Sequence, residues 1–326
     1  MKKNVSVRPA SFSNKTAFRH LNFGFDSSFG FRHSSFPRVT MFIVLRRLAY
    51  LLVWVVLACD RPAPPVAAPR IGVCATVYPL ADVLRQVGGD AVEVDWIVDL
   101  GDLAAGFSLT SNERSRLTNV ELLLWDGDRS ESWASQSAAA IENAGKTLAL
   151  STQPIASTVP VEGFLWLDPL VIRELAPHLA EKLRRRLPQR EQEFAERAKT
   201  FAADIDQVLQ KYPNSRFGRS RVMVMSGGLN VLLDRFGIPA TRLDANPLRL
   251  TDDALQRART LAQRDNIKAL LLPFDTPPGT AADIEARTGL HVFLIDHLGH
   301  PSYAGHGSYL EILDYNLNQL IAATSI

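Results

Sequence analysis

The chain is short of cysteine, of long apolar runs and of recognisable catalytic motifs. Only Cys59 and Cys74 occur in 326 residues, too few for a disulfide framework. No apolar run reaches the roughly 18 residues that a spanning helix needs. There is no phosphate loop, nucleophile elbow, dinucleotide fingerprint or paired-histidine helix motif. Of seven histidines, two lie within the first 40 residues, so few general bases remain. These absences argue against an enzyme.

Positive charge is also scarce once the N-terminus is set aside. Of the 36 basic and 34 acidic residues, nine and one fall in positions 1–59, leaving 27 and 33 beyond them. A mildly acidic body gives no reason to expect nucleic acid as a partner. Hydrophobic residues make up 46% and charged residues 21%, ordinary for a globular protein of this length.

What is present begins with an export address. Arg46-Arg47 precedes the apolar run Leu48–Ala58, followed directly by Cys59. A basic segment and an apolar segment of this length make a signal peptide over 41–58. Val56-Leu57-Ala58-Cys59 resembles the lipobox of bacterial lipoproteins, which implies that Cys59 is acylated and becomes the first mature residue. A plain signal peptide or a short anchor helix is the other reading. Asp60 directly after the cysteine resembles an inner-membrane retention signal of some bacteria. The expected location is therefore a periplasmic or cell-surface lipoprotein at the cytoplasmic membrane. Residues 59–70, rich in Pro and Ala, read as a tether. Residues 1–40 show no period; either Met41 is the true start or they form a disordered extension.

From Ile71 onward, short β-forming runs alternate with helical periods. Strands are expected at 71–76, 92–98, 121–125 and 147–150, then at 221–225, 269–273 and 291–296. Helices fall between them, and a last one is expected from about Tyr309 to Ala323. Between the two sets, 188–212 is continuously helical, with Phe194, Ala198, Phe201, Ile205 and Val208 on one stripe. The expectation is an α/β protein of two Rossmann-like lobes with parallel sheets, 71–187 and 213–326, joined by one long linking helix.

In that layout the chain resembles the zinc- and manganese-receptor family of solute-binding proteins that serve ABC importers. The likeness rests on Ala75-Thr76-Val77-Tyr78-Pro79-Leu80-Ala81-Asp82 with Val87-Gly88-Gly89-Asp90, and on Trp166-Leu167-Asp168-Pro169. It rests further on Asn266-Ile267-Lys268-Ala269, Ile295-Asp296-His297-Leu298-Gly299 and Ser308-Tyr309-Leu310-Glu311. The resemblance implies a ligand cleft between the lobes, a divalent metal (Zn or Mn) as transported solute, no certain cofactor, an ABC permease as partner, and a monomer.

The family's metal is held by three histidines and a carboxylate. Here Ala105, Phe164 and Ser226 stand at the histidine positions, and only Asp296 matches. One carboxylate does not replace the roughly four N, S or O donors that zinc wants. The site is thus read as degenerate or altered, with Asp296 open between a ligand and a strand-end carboxylate that caps nearby backbone. His297, His300 and His306 beside Asp296 are candidates for a relocated metal site, against the alternative of a mobile surface loop. Asp99, Asp102, Asp126 and Asp128 are either oxygen ligands for a hard cation or loop and cap acids. Trp166 and Phe164 either line an apolar cleft or pack in the core. Gly227-Gly228 before a helix is a weak anion signal, and Cys74 reads as a buried small hydrophobe.

The expected function is a lipid-anchored receptor of an ABC importer with an altered ligand site. The alternative is a non-transport interaction protein on the same fold.

Overall fold

The computed structural model describes residues 70–99, 107–127, 131–154, 163–225, 227–245 and 250–326. Residues 67–326 form one compact unit. The signal segment, the tether and Cys59 lie outside the described residues.

The first sheet is built from β1 (Ile71–Val77), β2 (Val92–Val98), β3 (Leu122–Trp125) and β4 (Thr147–Ala149), in the order β2-β1-β3-β4. All pairs are parallel. Helices cover such a sheet on both faces, so its strands read as unbroken apolar runs; all four residues of β3 are buried. Helix α1 (Tyr78–Gly88) follows β1, with Pro79 in its first turn and Gly89 ending it at φ 57°. Glycine takes that left-handed angle without strain, and a β-carbon there would meet the Arg197 guanidinium. Helices α2 (Ser111–Thr118) and α3 (Ser135–Glu142) complete the outer layer.

Two antiparallel helices follow. Helix α4 (Pro169–Arg184) starts on Asp168, whose side chain accepts the Leu170 amide at 2.9 Å. Helix α5 (Glu191–Lys211) has 21 residues, about 32 Å at ~1.5 Å each, and its apolar stripe is buried at Phe194, Ala198, Phe201, Ile205 and Val208. Pro188 holds the chain before it in a single 3₁₀ turn, Pro188–Arg190, so the long helix begins three residues later than the periodicity suggests. The segment 169–184, where the sequence reading places no separate helix, is a full helix packed on α1 and α5.

The second sheet repeats the first. Strands β5 (Val222–Val224), β6 (Ala240–Arg242), β7 (Ala269–Pro273) and β8 (His291–Ile295) run parallel in the order β6-β5-β7-β8. Helices α6 (Asn230–Arg235), α7 (Asp252–Asp265), α8 (Pro278–Thr288) and α9 (Tyr309–Thr324) surround it. Two four-stranded parallel sheets with helices on their faces give the two-lobed α/β architecture that the alternation implied.

The core does not divide with the sheets. One contiguous apolar cluster runs from Val73, Leu84 and Leu124 through Phe194 and Phe201 to Val224, Leu233, Leu271 and Leu317. A smaller cluster lies under α7 and α8, around Met223, Leu255, Leu270 and Leu272. Among the described residues no helix is long and apolar enough to cross a membrane.

Candidate functional site

In each sheet the chain leaves the first-formed strand to either side, and sheets of this kind bind ligands beyond the carboxyl ends of the strands where the order reverses, here β1 and β3, and β5 and β7. The residues that follow those ends carry the chemistry.

Phe164 precedes a short 3₁₀ turn, Leu165–Leu167, that delivers the chain into α4. Its ring stacks on Trp166, with centroids 4.5 Å apart and 13° between planes, and on the His297 imidazole at 5.8 Å and 13°. Its amide donates to the Gly228 carbonyl at 2.9 Å. Gly228 has its place because Phe164 lies against it. Trp166 donates its indole N–H to the His297 carbonyl at 2.7 Å. At this position the chain presents an apolar ring with no lone pair to offer a metal.

Asp296 follows β8 and is almost wholly buried. Its Oδ1 accepts the amides of Leu298 and Gly299 at 3.1 and 2.6 Å, and its Oδ2 lies 2.7 Å from His306 Nδ1. Asn316 fixes its backbone in both directions, accepting the Asp296 amide and donating to its carbonyl. The carboxylate is engaged by the protein itself. His306 is buried as well, its ring stacked on Phe274 at 4.0 Å and set edge-on to Tyr315 at 4.5 Å.

The other two histidines go elsewhere. His297 is half-buried against Phe164, and burial pulls its imidazole below the usual range, favouring the neutral form. His300 faces Tyr78 and Tyr303, and its Nδ1 accepts the Ser302 amide at 3.1 Å. The three imidazoles do not converge. Among the described residues no group of three or more His, Cys, Asp or Glu side chains is placed to hold a metal ion. Nor is 297–307 a free loop: three turns tie it down, through His300 N to His306 O, Tyr303 N to His300 O and His306 N to Tyr303 O.

On the first lobe a residue that drew no attention in the sequence stands out. Glu131 is buried; its Oε2 accepts from the Thr76 hydroxyl at 2.8 Å and the Asp126 amide at 2.7 Å, clipping the end of β1 to the end of β3. Its Oε1 is buried and has no hydrogen-bond partner among the described residues. Burial, and next the neighbouring Asp126, push its carboxyl up to about 8, so it is mostly protonated at neutral pH. Asp126 Oδ2 accepts the Leu165 amide at 3.3 Å, tying this corner to the Phe164 segment. Asp99 accepts the Trp96 indole N–H at 2.8 Å. Ala105, Ser226, Asp102 and Asp128 lie outside the described residues. Cys74 is fully buried in β1, and burial drives its thiol up to about 12, which leaves it unreactive.

The lobes are joined by polar contacts as well as by core. Asp168, fully buried, pairs with Arg235 of α6 through two guanidinium nitrogens, the shortest contact being 2.6 Å. Asp82 of α1 accepts the Tyr309 amide at the start of α9 at 2.8 Å, and Tyr78 donates its hydroxyl to the Gly307 carbonyl at 2.5 Å. The sequence names Asp82 only within a motif and gives no sign of Arg235, because each finds its partner in the other lobe, far along the chain.

Comparison with known proteins agrees with this fold. The zinc-bound form of AdcA from Streptococcus pneumoniae superposes with a TM-score of 0.68 at 14% identity over 79% of this chain; the match spans 58% of that longer protein. The metal-dependent lipoprotein YcdH of Bacillus subtilis gives 0.66 at 14% identity, covering 79% of this chain and 100% of that one. The periplasmic zinc-binding protein TroA from Treponema pallidum gives 0.62 at 15%, covering 78% and 99%. At such identities these likenesses speak for the fold. The profile of the zinc-uptake complex component A periplasmic family matches residues 73–323, most of the chain. The chain belongs to that family, the metal-binding solute receptors of ABC transporters.

Proposed function

We propose that this protein is a lipid-anchored, extracytoplasmic receptor of an ABC importer whose inherited site no longer takes zinc or manganese tightly. The observation that carries the reading is Phe164. It stands where the family has an imidazole, and its ring stacks on Trp166 and on His297. The one matching family ligand, Asp296, spends its oxygens on two backbone amides and His306. A metal would have to break those bonds before gaining its own, with too few donors nearby to compensate. Ala105 and Ser226, at the other two histidine positions, bring no imidazole either. The solute is then something other than a borderline or hard divalent cation. Attachment through Cys59 follows from the lipobox, with the permease as membrane partner.

A second reading draws on the contacts that join the lobes. A protein closed on itself suits a non-transport interaction module on the same scaffold.

Both parts are open to experiment. Intact-mass analysis of protein from the native host should show loss of residues 1–58 and added acyl chains on Cys59, and Cys59→Ala should leave the membrane fraction. An unmodified Cys59 in mature protein rules the anchor out. Native mass spectrometry of the same sample, with a bound organic solute released on denaturation, separates the receptor from the interaction module.

A further inference from the structure

The first lobe holds a cavity of about 590 Å³ beside β4, the edge strand of its sheet. Its size is that of a small-molecule site, roughly 300–1,000 Å³. Helix α3 and the last turns of α4 border it. Ala138 and Leu148 supply apolar lining, and Trp125, Glu142, Gln153 and Lys182 bring polar groups. Neither Phe164, Asp296 nor His306 lines it.

Three of those polar groups have bonding capacity that the chain leaves unused. Trp125 is 8% exposed, and its indole N–H is buried with no acceptor among the described residues. A buried indole donor ordinarily finds a partner, since nothing else offsets its loss of water. Gln153 is as buried and donates both amide hydrogens, to the Ala149 carbonyl at 3.0 Å and the Thr152 hydroxyl at 3.2 Å. Its Oε1 is left to accept. The Lys182 ammonium makes no hydrogen bond or ion pair among the described residues. Burial, and next Arg186 and Arg185, pull it below the usual lysine range, with Glu142 opposing them. An anion beside Lys182 would relieve that crowding of positive charge.

We propose that this cavity binds a small organic carboxylate, with the Lys182 ammonium and the Trp125 indole N–H as its donors. Two unused donors on one cavity, one of them cationic, suit an ionised carboxylate. Ala138, Leu148 and the indole suit a hydrocarbon body, which inorganic phosphate lacks. A solute here requires neither the loss nor the retention of metal at Asp296, so the inference stands apart from the function proposed above.

The test is NMR of the full chain in detergent, labelled with ¹⁵N-tryptophan and titrated at constant ionic strength. The probes are benzoate, its neutral isostere benzamide, and inorganic phosphate. Trp125→Phe identifies the Trp125 indole signal among the five tryptophans. Trp166, whose indole N–H is already bonded to the His297 carbonyl, is the internal control. Benzoate should move the Trp125 signal saturably and leave Trp166 in place, with at least tenfold higher affinity than benzamide or phosphate. Lys182→Gln should weaken benzoate at least fivefold. No saturable shift with benzoate up to about 20 mM, at pocket concentrations where even small ligands register, overturns the proposal. Benzamide or phosphate binding as tightly as benzoate overturns it too, as does unchanged affinity in a folded Lys182→Gln variant. A cross-peak from water to the Trp125 indole proton, with no shift from any probe, assigns that donor to an ordered water and also refutes the site. Should Lys182→Gln not fold, calorimetry of benzoate with Trp125→Phe should show binding weakened at least threefold, and unchanged affinity there counts against the proposal.

Discussion

The ring of Phe164 rests on the bare backbone of Gly228: a β-carbon built on that glycine would come within 2.6 Å of the ring. No real β-carbon tolerates such an approach, so the two residues are matched, one by size and the other by its absence. Gly228→Ala should therefore cost about 1–3 kcal/mol, the usual penalty for overpacking a filled site. Urea denaturation checks the figure. Phe164→Ala in the same chain should recover part of the loss, and additive losses would show that the two do not share the strain.

Asp296 and His306 form a buried pair at 2.7 Å. Replacing His306 by Ala leaves Asp296 Oδ2 without its partner in an apolar surround, and a loss of about 3–5 kcal/mol is expected. Replacing both with residues of similar shape and no charge, as in Asp296→Asn with His306→Phe, should cost less than the His306 change alone. A double-mutant cycle from denaturation curves measures the coupling.

Glu131 makes stability depend on pH in an unusual sense. Its carboxyl rises from an ordinary value of 4.5 to about 8 in the fold. The native state therefore holds a proton that the unfolded chain releases, and this contribution, full below about pH 4.5, is lost as pH climbs to about 8. The difference in unfolding free energy between wild type and Glu131→Gln should shrink, or reverse, across that window and level off above it. A flat difference from pH 5 to 8 would mean that Glu131 is ionised throughout.

Asp168 is fully buried and Arg235 is its only cationic partner among the described contacts. Arg235→Ala should lower stability by about 3–5 kcal/mol, because the uncompensated charge outweighs the lost pair itself. Thermal unfolding followed at near-neutral pH gives the value. A loss below 1 kcal/mol would place the pair with surface ion pairs.

Much of the fold was legible because parallel strands buried on both faces leave unbroken apolar runs. Leu122-Leu123-Leu124 and Ala269-Leu270-Leu271-Leu272 could scarcely be anything else. The start of α9 was legible too, since Ser308 and Glu311 spell its cap. Strand β6 was not: Ala240-Thr241-Arg242 is short, polar and at a sheet edge, and only its pairing with β5 makes it a strand. Helix α4 was hidden by the Pro at each end of its first half, Pro169 and Pro177. The site was half legible. The positions proposed for the family's imidazoles come from the sequence alone, whereas the Asp296–His306 pair, the Glu131 clip and the Asp168–Arg235 bridge depend on distances that sequence spacing does not encode.

On the function proposed above, this metal-receptor scaffold has lost tight metal binding at its inherited site. Calorimetric titration of chelator-stripped protein with zinc and then manganese, with stoichiometry read by native mass spectrometry, tests it most directly. No one-to-one binding tighter than micromolar is expected for either ion. Sub-micromolar, one-to-one binding that disappears in Asp296→Asn would contradict it.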